Sequence, residues 1–251
     1  MPTIKGFGIN RQGAFVSKQF NTVLTSFLLG FVFLVSGCAR SSDQSADNAA
    51  PESSLTQESG TSPEIKPTES AQVLKNADGS FRTFVVYADA NSPDNHFDPS
   101  GWMGDYNDLK MSSDSLASPH GGTTAIRIEY SAKKAQGAGW AGIYWQNPAN
   151  NWGSKAGGYD LTGAKKLSFW AHGEKGGERI EEFKMGGITG EYPDSDQAGI
   201  GPVLLTPEWK QYSIDLSSKD LSSISGGFCW VTGADANPEG AVFYLDDIVY
   251  E

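Results

Sequence analysis

Gly139-Trp-Ala-Gly-Ile-Tyr-Trp-Gln-Asn-Pro-Ala-Asn-Asn-Trp-Gly153 carries three of the chain's seven tryptophans, Trp140, Trp145 and Trp152, with Tyr144 among them. Its first half alternates with the two-residue period of a β-strand. Ala141, Ile143 and Trp145 take one side and read as core. Trp140, Gly142, Tyr144 and Gln146 take the other. Asn147-Pro148 ends the run, and Asn150, Asn151 and Trp152 fall in a polar loop. Flat rings beside amides suit a sugar, because rings stack on its C–H face and amides bond its hydroxyls. Large aromatics also fill cores, so each ring taken singly reads as packing; the cluster as a whole reads as a binding surface.

Working outward, short runs rich in aromatic and β-branched residues recur between Gly/Asn/Asp/Ser clusters: Thr83–Tyr87, Ala125–Tyr130, Lys166–His172, Arg179–Phe183, Gln211–Leu216, Phe228–Thr232 and Val242–Tyr250. No amphipathic helix stands among them. This pattern predicts an all-β fold, an antiparallel β-sandwich or jelly roll. Ile126, Ile128 and Tyr130 read inward with Arg127 and Glu129 outward. Leu167, Phe169 and Ala171 read inward, leaving Ser168, Trp170 and His172 outside. Trp170 is therefore expected on the same face as Trp140 and Tyr144, with His172 beside it.

Ahead of this region lie three stretches of different character. Residues 1–37 have basic points at Lys5, Arg11 and Lys18, no acidic residue, and an apolar run from Val23 to Val35. That is the pattern of a secretory signal, and the run is shorter than the ~20 residues a membrane span needs. Val35-Ser36-Gly37-Cys38 resembles the lipobox of bacterial lipoproteins. The resemblance implies cleavage before Cys38, acylation there, and anchorage in the envelope, with the outer membrane of a Gram-negative cell as destination since Ala39 follows. Residues 38–76 are Ser/Glu/Pro-rich and too polar to fold, which makes them a disordered tether spanning about 35 Å. Residues 77–251 form a single domain.

The chain has 19 basic and 30 acidic residues, a net −11; without Lys5, Arg11 and Lys18, 16 face 30 and the balance is −14. Nucleic acid is excluded as a partner, since phosphates need Lys/Arg patches, and the membrane is met only through the lipid anchor. Neutral polymers remain. Cys229 is the only cysteine besides Cys38, so neither an intrachain disulfide nor a cysteine zinc site is available to the domain.

Trp209-Lys-Gln-Tyr-Ser-Ile-Asp-Leu216, running on to Phe243-Tyr-Leu-Asp-Asp-Ile-Val-Tyr250, resembles the galactose-binding-like jelly rolls of many bacterial carbohydrate-binding modules. Gly139–Gly153, Gly157-Gly-Tyr-Asp-Leu161 and Leu167-Ser-Phe-Trp-Ala-His-Gly-Glu174 are similar to the same modules. The resemblance covers residues 83–251 and implies non-covalent binding of a polysaccharide or oligosaccharide, without catalysis, on a sheet face or at loop tips. Similar modules hold a structural calcium with a carboxylate of the last strand. Asp246, with Asp89 near the first strand, is the implied pair, and plain hydrogen bonding is the other use of such buried carboxylates.

Catalytic constellations are missing. Glu178 and Glu182 read as one face of a strand about 13 Å apart, too far for a retaining glycosidase pair. His96, His120 and His172 are isolated, and no nucleophile motif occurs. The expected function is carbohydrate binding through Trp140, Tyr144, Trp152 and Trp170, with Asn150, Asn151 and Arg127 as polar contacts. An envelope module that binds another protein through the same rings is the alternative, and a polysaccharide-degrading enzyme comes third. Oligomeric state is not encoded in these signals.

Overall fold

A computed structural model describes residues 75–251 of the chain. The signal segment, Cys38 and nearly all of the tether lie outside the described residues. Thirteen strands follow in order: β1 (Phe84–Tyr87), β2 (Asp98–Gly104), β3 (Leu109–Ser115), β4 (Ala125–Tyr130), β5 (Trp140–Gln146), β6 (Lys166–Gly173), β7 (Arg179–Ile180), β8 (Glu182–Gly186), β9 (Gln197–Ile200), β10 (Val203–Leu204), β11 (Lys210–Asp215), β12 (Gly226–Gly233) and β13 (Ala241–Tyr250). A short 3-10 turn, Tyr106–Asp108, is the only helical element among the described residues.

The strands form the expected antiparallel sandwich. A six-stranded sheet runs β11-β6-β13-β4-β3, with β1 also pairing β13, and a five-stranded sheet runs β2-β5-β12-β8-β9. A two-stranded ladder, β7 with β10, stands apart. Strand β13 serves two neighbours on one edge. Its first half pairs β4 and, past a bulge between Asp246 and Val249, its last residues pair β1. Asp247, at φ +46°, sits in that bulge.

The inward rows are those the alternation marks. Ile126, Ile128, Leu167, Phe169, Ala171, Ala141, Ile143 and Trp145 are all buried. Rings cross between the sheets: Phe169 of β6 meets Phe183 of β8 at 4.7 Å and Phe228 of β12 at 5.2 Å, and Trp230 of β12 meets Phe243 of β13 edge-on at 5.0 Å. Such aromatic contacts fasten the two sheets at the centre of the core.

Strands β2 and β3 lie outside the runs that the sequence marks as strands. Both are edge strands. Asp-Pro-Ser-Gly-Trp-Met-Gly and Leu-Lys-Met-Ser-Ser-Asp-Ser show no two-residue apolar period, because an edge strand has a partner on one side only and tolerates Pro and Gly.

Candidate functional site

Strand β5 is the second strand of its sheet, and its outward residues set the site. Across the five-stranded sheet two outward rows run side by side. Met103, Gly142, Val231 and Glu182 stand in register, and so do Gly101, Tyr144, Cys229, Lys184 and Gly199. Gly142 keeps the first row shallow, since a Cβ there would come within 2.5 Å of the Trp230 carbonyl and 3.2 Å of Met103 Cε. At one end of this lane Trp140 is 40% exposed; at the other Trp152 is 45% exposed.

Buried polar groups pin both ends. The Asp105 carboxylate accepts the N–H groups of Gln136, Ala138 and Gly139 at 2.7, 3.0 and 2.6 Å, and the Asp105 N–H donates to the Trp140 carbonyl at 2.7 Å. Burial pushes this carboxyl up, but the N–H groups of Ala138, Gly139 and Gln136 outweigh it and leave it below the usual carboxylate range. Trp140 therefore projects from a backbone that is held on both sides. Tyr106, also exposed, follows directly in the same corner.

At the far end two loops close over the sheet. Gln146, buried, donates to the Asn151 carbonyl at 2.9 Å and accepts from Ser100 Oγ, which in turn accepts the Asn150 N–H at 2.8 Å. Asn151 Oδ1 accepts from the N–H groups of Gly153 and Lys155, and its amide donates to the Lys155 carbonyl. The facing loop is tied down by Asp194, which accepts N–H groups of Ile188, Ser225 and Gly226. The loops join where the Tyr192 N–H donates to the Gly153 carbonyl at 2.9 Å. Tyr192, which the sequence reading does not single out, is exposed beside Trp152's loop.

Several expected site residues change role. Tyr144 faces outward as predicted, yet it is only 5% exposed, because these loops cover it. Its hydroxyl donates to the Gly186 carbonyl, and burial pushes its ionisation far above the usual tyrosine range. Asn151 is fully buried and spends its whole side chain on its own loop, so it shapes the site and makes no sugar contact. Asn150 is exposed, and its backbone N–H is bonded to Ser100 Oγ.

Trp170 and Arg127 stand on the other sheet. Trp170 belongs to β6 and Arg127 to β4, both in the six-stranded sheet, so they face away from Trp140 and share no surface with it. A period of two separates inside from outside; it does not say which of two outsides a strand presents. Trp170 is half-covered by the His120 ring, stacked at 3.7 Å. His172 is buried, stacked on Tyr244 at 4.5 Å and edge-on to Trp209 at 4.4 Å. Arg127 pairs with Glu129 and bonds Tyr244.

The carboxylates expected to hold calcium are engaged with the chain's own donors. Asp89 Oδ1 accepts the backbone N–H and side-chain hydroxyl of both Thr123 and Thr124. Asp246, with no exposed surface, accepts N–H groups of His120 and Gly121 on Oδ2 and of Asp247 on Oδ1. Successive parts of one loop, 120–124, thus hang from the two residues. All four bonds to Asp89 fall on Oδ1, and among the described residues no group of three or more His, Cys, Asp or Glu that could hold a metal ion is gathered. Glu178 and Glu182 are not paired either: Glu178 precedes β7 and is buried, while Glu182 opens β8 and is exposed.

The fold is similar to solved carbohydrate-binding modules at low identity. A family 30 module of a cellulosomal cellulase of Clostridium thermocellum is 16% identical, covering 67% of this chain and 96% of its own length with a TM-score of 0.46. A family 11 module from Clostridium thermocellum, in complex with a β-1,3-1,4-mixed-linked tetrasaccharide, is 16% identical over 57% of this chain and 80% of its own, with a TM-score of 0.39. A family 29 module from Piromyces equi is 16% identical over 67% and 88%, with a TM-score of 0.38. No protein-family model matches the chain, and no curated protein does.

Proposed function

We propose that the domain binds a polysaccharide or oligosaccharide non-covalently along the outer face of the five-stranded sheet. One observation carries the reading: Trp140 and Trp152 present exposed rings at the two ends of one strand's outward lane, each on a backbone fixed by buried hydrogen bonds. Four residues of strand separate Trp140 from Tyr144, beneath Trp152, a span of about 13 Å by strand rise. That length suits a chain of sugars rather than a single one. The rings supply stacking on the order of 1 kcal/mol each. Asn150, Lys184 and Glu182 supply partners for hydroxyls. Micromolar to millimolar affinity needs about −4 to −8 kcal/mol, within reach of such a set.

In this reading the sandwich is a binding device and carries out no reaction. The chain is held in the cell envelope through lipid on Cys38, with residues 38–76 as a tether that lets the module reach polymer beyond the membrane surface. Migration of the full chain through native gels containing glucans, xylans, mannans or galactans tests the function. Retardation by at least one polymer supports it. Free migration in all of them, with a partner protein recovered instead, assigns the exposed rings to a protein interface.

A further inference from the structure

We propose that Tyr192 is a third sugar-stacking residue, carried by a seam between two loops that extends the polymer site beyond the sheet. This inference rests on the reading of the five-stranded sheet's outer face as a polysaccharide site, and it assigns a part of that site which no sequence pattern marks.

The seam joins residues 147–158, which follow β5, to residues 187–196, which follow β8. They meet backbone on backbone. A Cβ on Gly153, at φ +83°, would collide with the Thr189 carbonyl oxygen, and one on Gly190, at φ +132°, would lie 2.7 Å from the Gly153 carbonyl oxygen. Only glycine offers both that clearance and that backbone conformation. The Tyr192 N–H closes the junction on the Gly153 carbonyl at 2.9 Å. Trp152 stands just before the first of these glycines, and Tyr192 follows shortly after the second. Two exposed rings, 45% and 43% accessible, thus leave from a single seam.

The seam is held from below. Tyr144, Ile188 and Asp194 crowd about Gly226 of β12, which sets the second loop against the covered tyrosine of the sheet. The Asp194 carboxylate accepts the Ile188 N–H, and the Asp194 N–H returns to the Ile188 carbonyl, both at 2.9 Å. The Ser195 N–H donates to the Ser223 carbonyl at 2.8 Å. A ring on a backbone fixed this closely surrenders little freedom when a ligand lies on it, which is the advantage of a preorganised platform. Tyrosine also brings a hydroxyl that bonds a sugar hydroxyl while the ring stacks. The ligand class is a neutral sugar chain long enough to reach from Trp140 to the seam, since only such a chain engages rings at both ends.

Gel retardation of the full chain in detergent, with glucans, xylans, mannans and galactans, tests the residue. Tyr192→Ala is expected to weaken binding of the polymer that retards wild type about fivefold, and Tyr192→Phe to keep it within about twofold. Because Trp140 and Tyr192 touch opposite ends of one ligand, the Trp140→Ala/Tyr192→Ala double variant should lose about 25-fold, the product of two fivefold losses. Urea unfolding of Tyr192→Ala should match wild type. Retardation that Tyr192→Ala leaves within about twofold of wild type overturns this inference while the polymer face stands. An equal loss in Tyr192→Phe, or a lowered urea midpoint in Tyr192→Ala, overturns it by making the residue a prop of its loop. No retardation of wild type by any of these polymers overturns the reading beneath it and this inference together.

Discussion

Trp152 meets Tyr144 edge to face, with ring centroids 6.0 Å apart and planes at 86°. The lower ring is covered and bonded to Gly186, while the upper ring is open to solvent. Tyr144 thus works as the bracket and Trp152 as the platform. Tyr144→Phe strands the buried Gly186 carbonyl, and the expected loss is about 1–3 kcal/mol of stability, with weaker polymer binding as a consequence of the loosened loop. Urea unfolding followed by tryptophan fluorescence checks it; an unchanged midpoint contradicts the bracket.

At the opposite end the dependence runs through a carboxylate. Asp105→Ala removes the acceptor of three N–H groups just before Trp140. The melting temperature is expected to fall by about 5 °C or more, and polymer affinity to fall with it. Thermal unfolding and gel retardation measured on the same variant test both parts.

Much of this site was open to sequence reading, and what was not has physical causes. Trp-Ala-Gly-Ile-Tyr-Trp-Gln forms the predicted strand at the predicted limits, but of its outward side only Trp140 stays exposed, with Gly142, Tyr144 and Gln146 buried like the inward row. The covering of Tyr144 could not be read there, since it depends on a loop more than forty residues away that returns to meet Gly153. Trp170 was placed outward correctly and on the wrong sheet, because pairing order, not local pattern, decides sheet membership. Asp89, Asp105, Asp194 and Asp246 each gather backbone N–H groups from loops distant in the chain, a use that no local pattern in the sequence marks.

Asp246 makes stability depend on pH in a direction opposite to the usual carboxylate. Burial, with Asp247 adjacent, raises its pKa to about 6, against the N–H bonds from Asp247, Gly121 and His120. The folded protein therefore holds this proton more tightly than the unfolded chain does. The contribution is fully present below pH about 4 and is lost as pH rises through about 6, amounting to at most about 3 kcal/mol. Wild type and Asp246→Asn compared by urea unfolding at pH 4.5 and 7.5 isolate it. Wild type should lose stability relative to the variant at the higher pH; a constant difference between the two contradicts this assignment.

The most direct measurement compares the full chain with the Trp140→Ala/Trp152→Ala double variant in native gels containing the polymer that retards the wild type. Each ring is partly buried and Trp152 packs edge-on against Tyr144, so the double variant should be less stable by about 1–2 kcal/mol per ring yet remain folded, and migrate as though no polymer were present. Undiminished retardation of a folded double variant would show that the sugar is held elsewhere and that the outer face of the five-stranded sheet is not the binding surface.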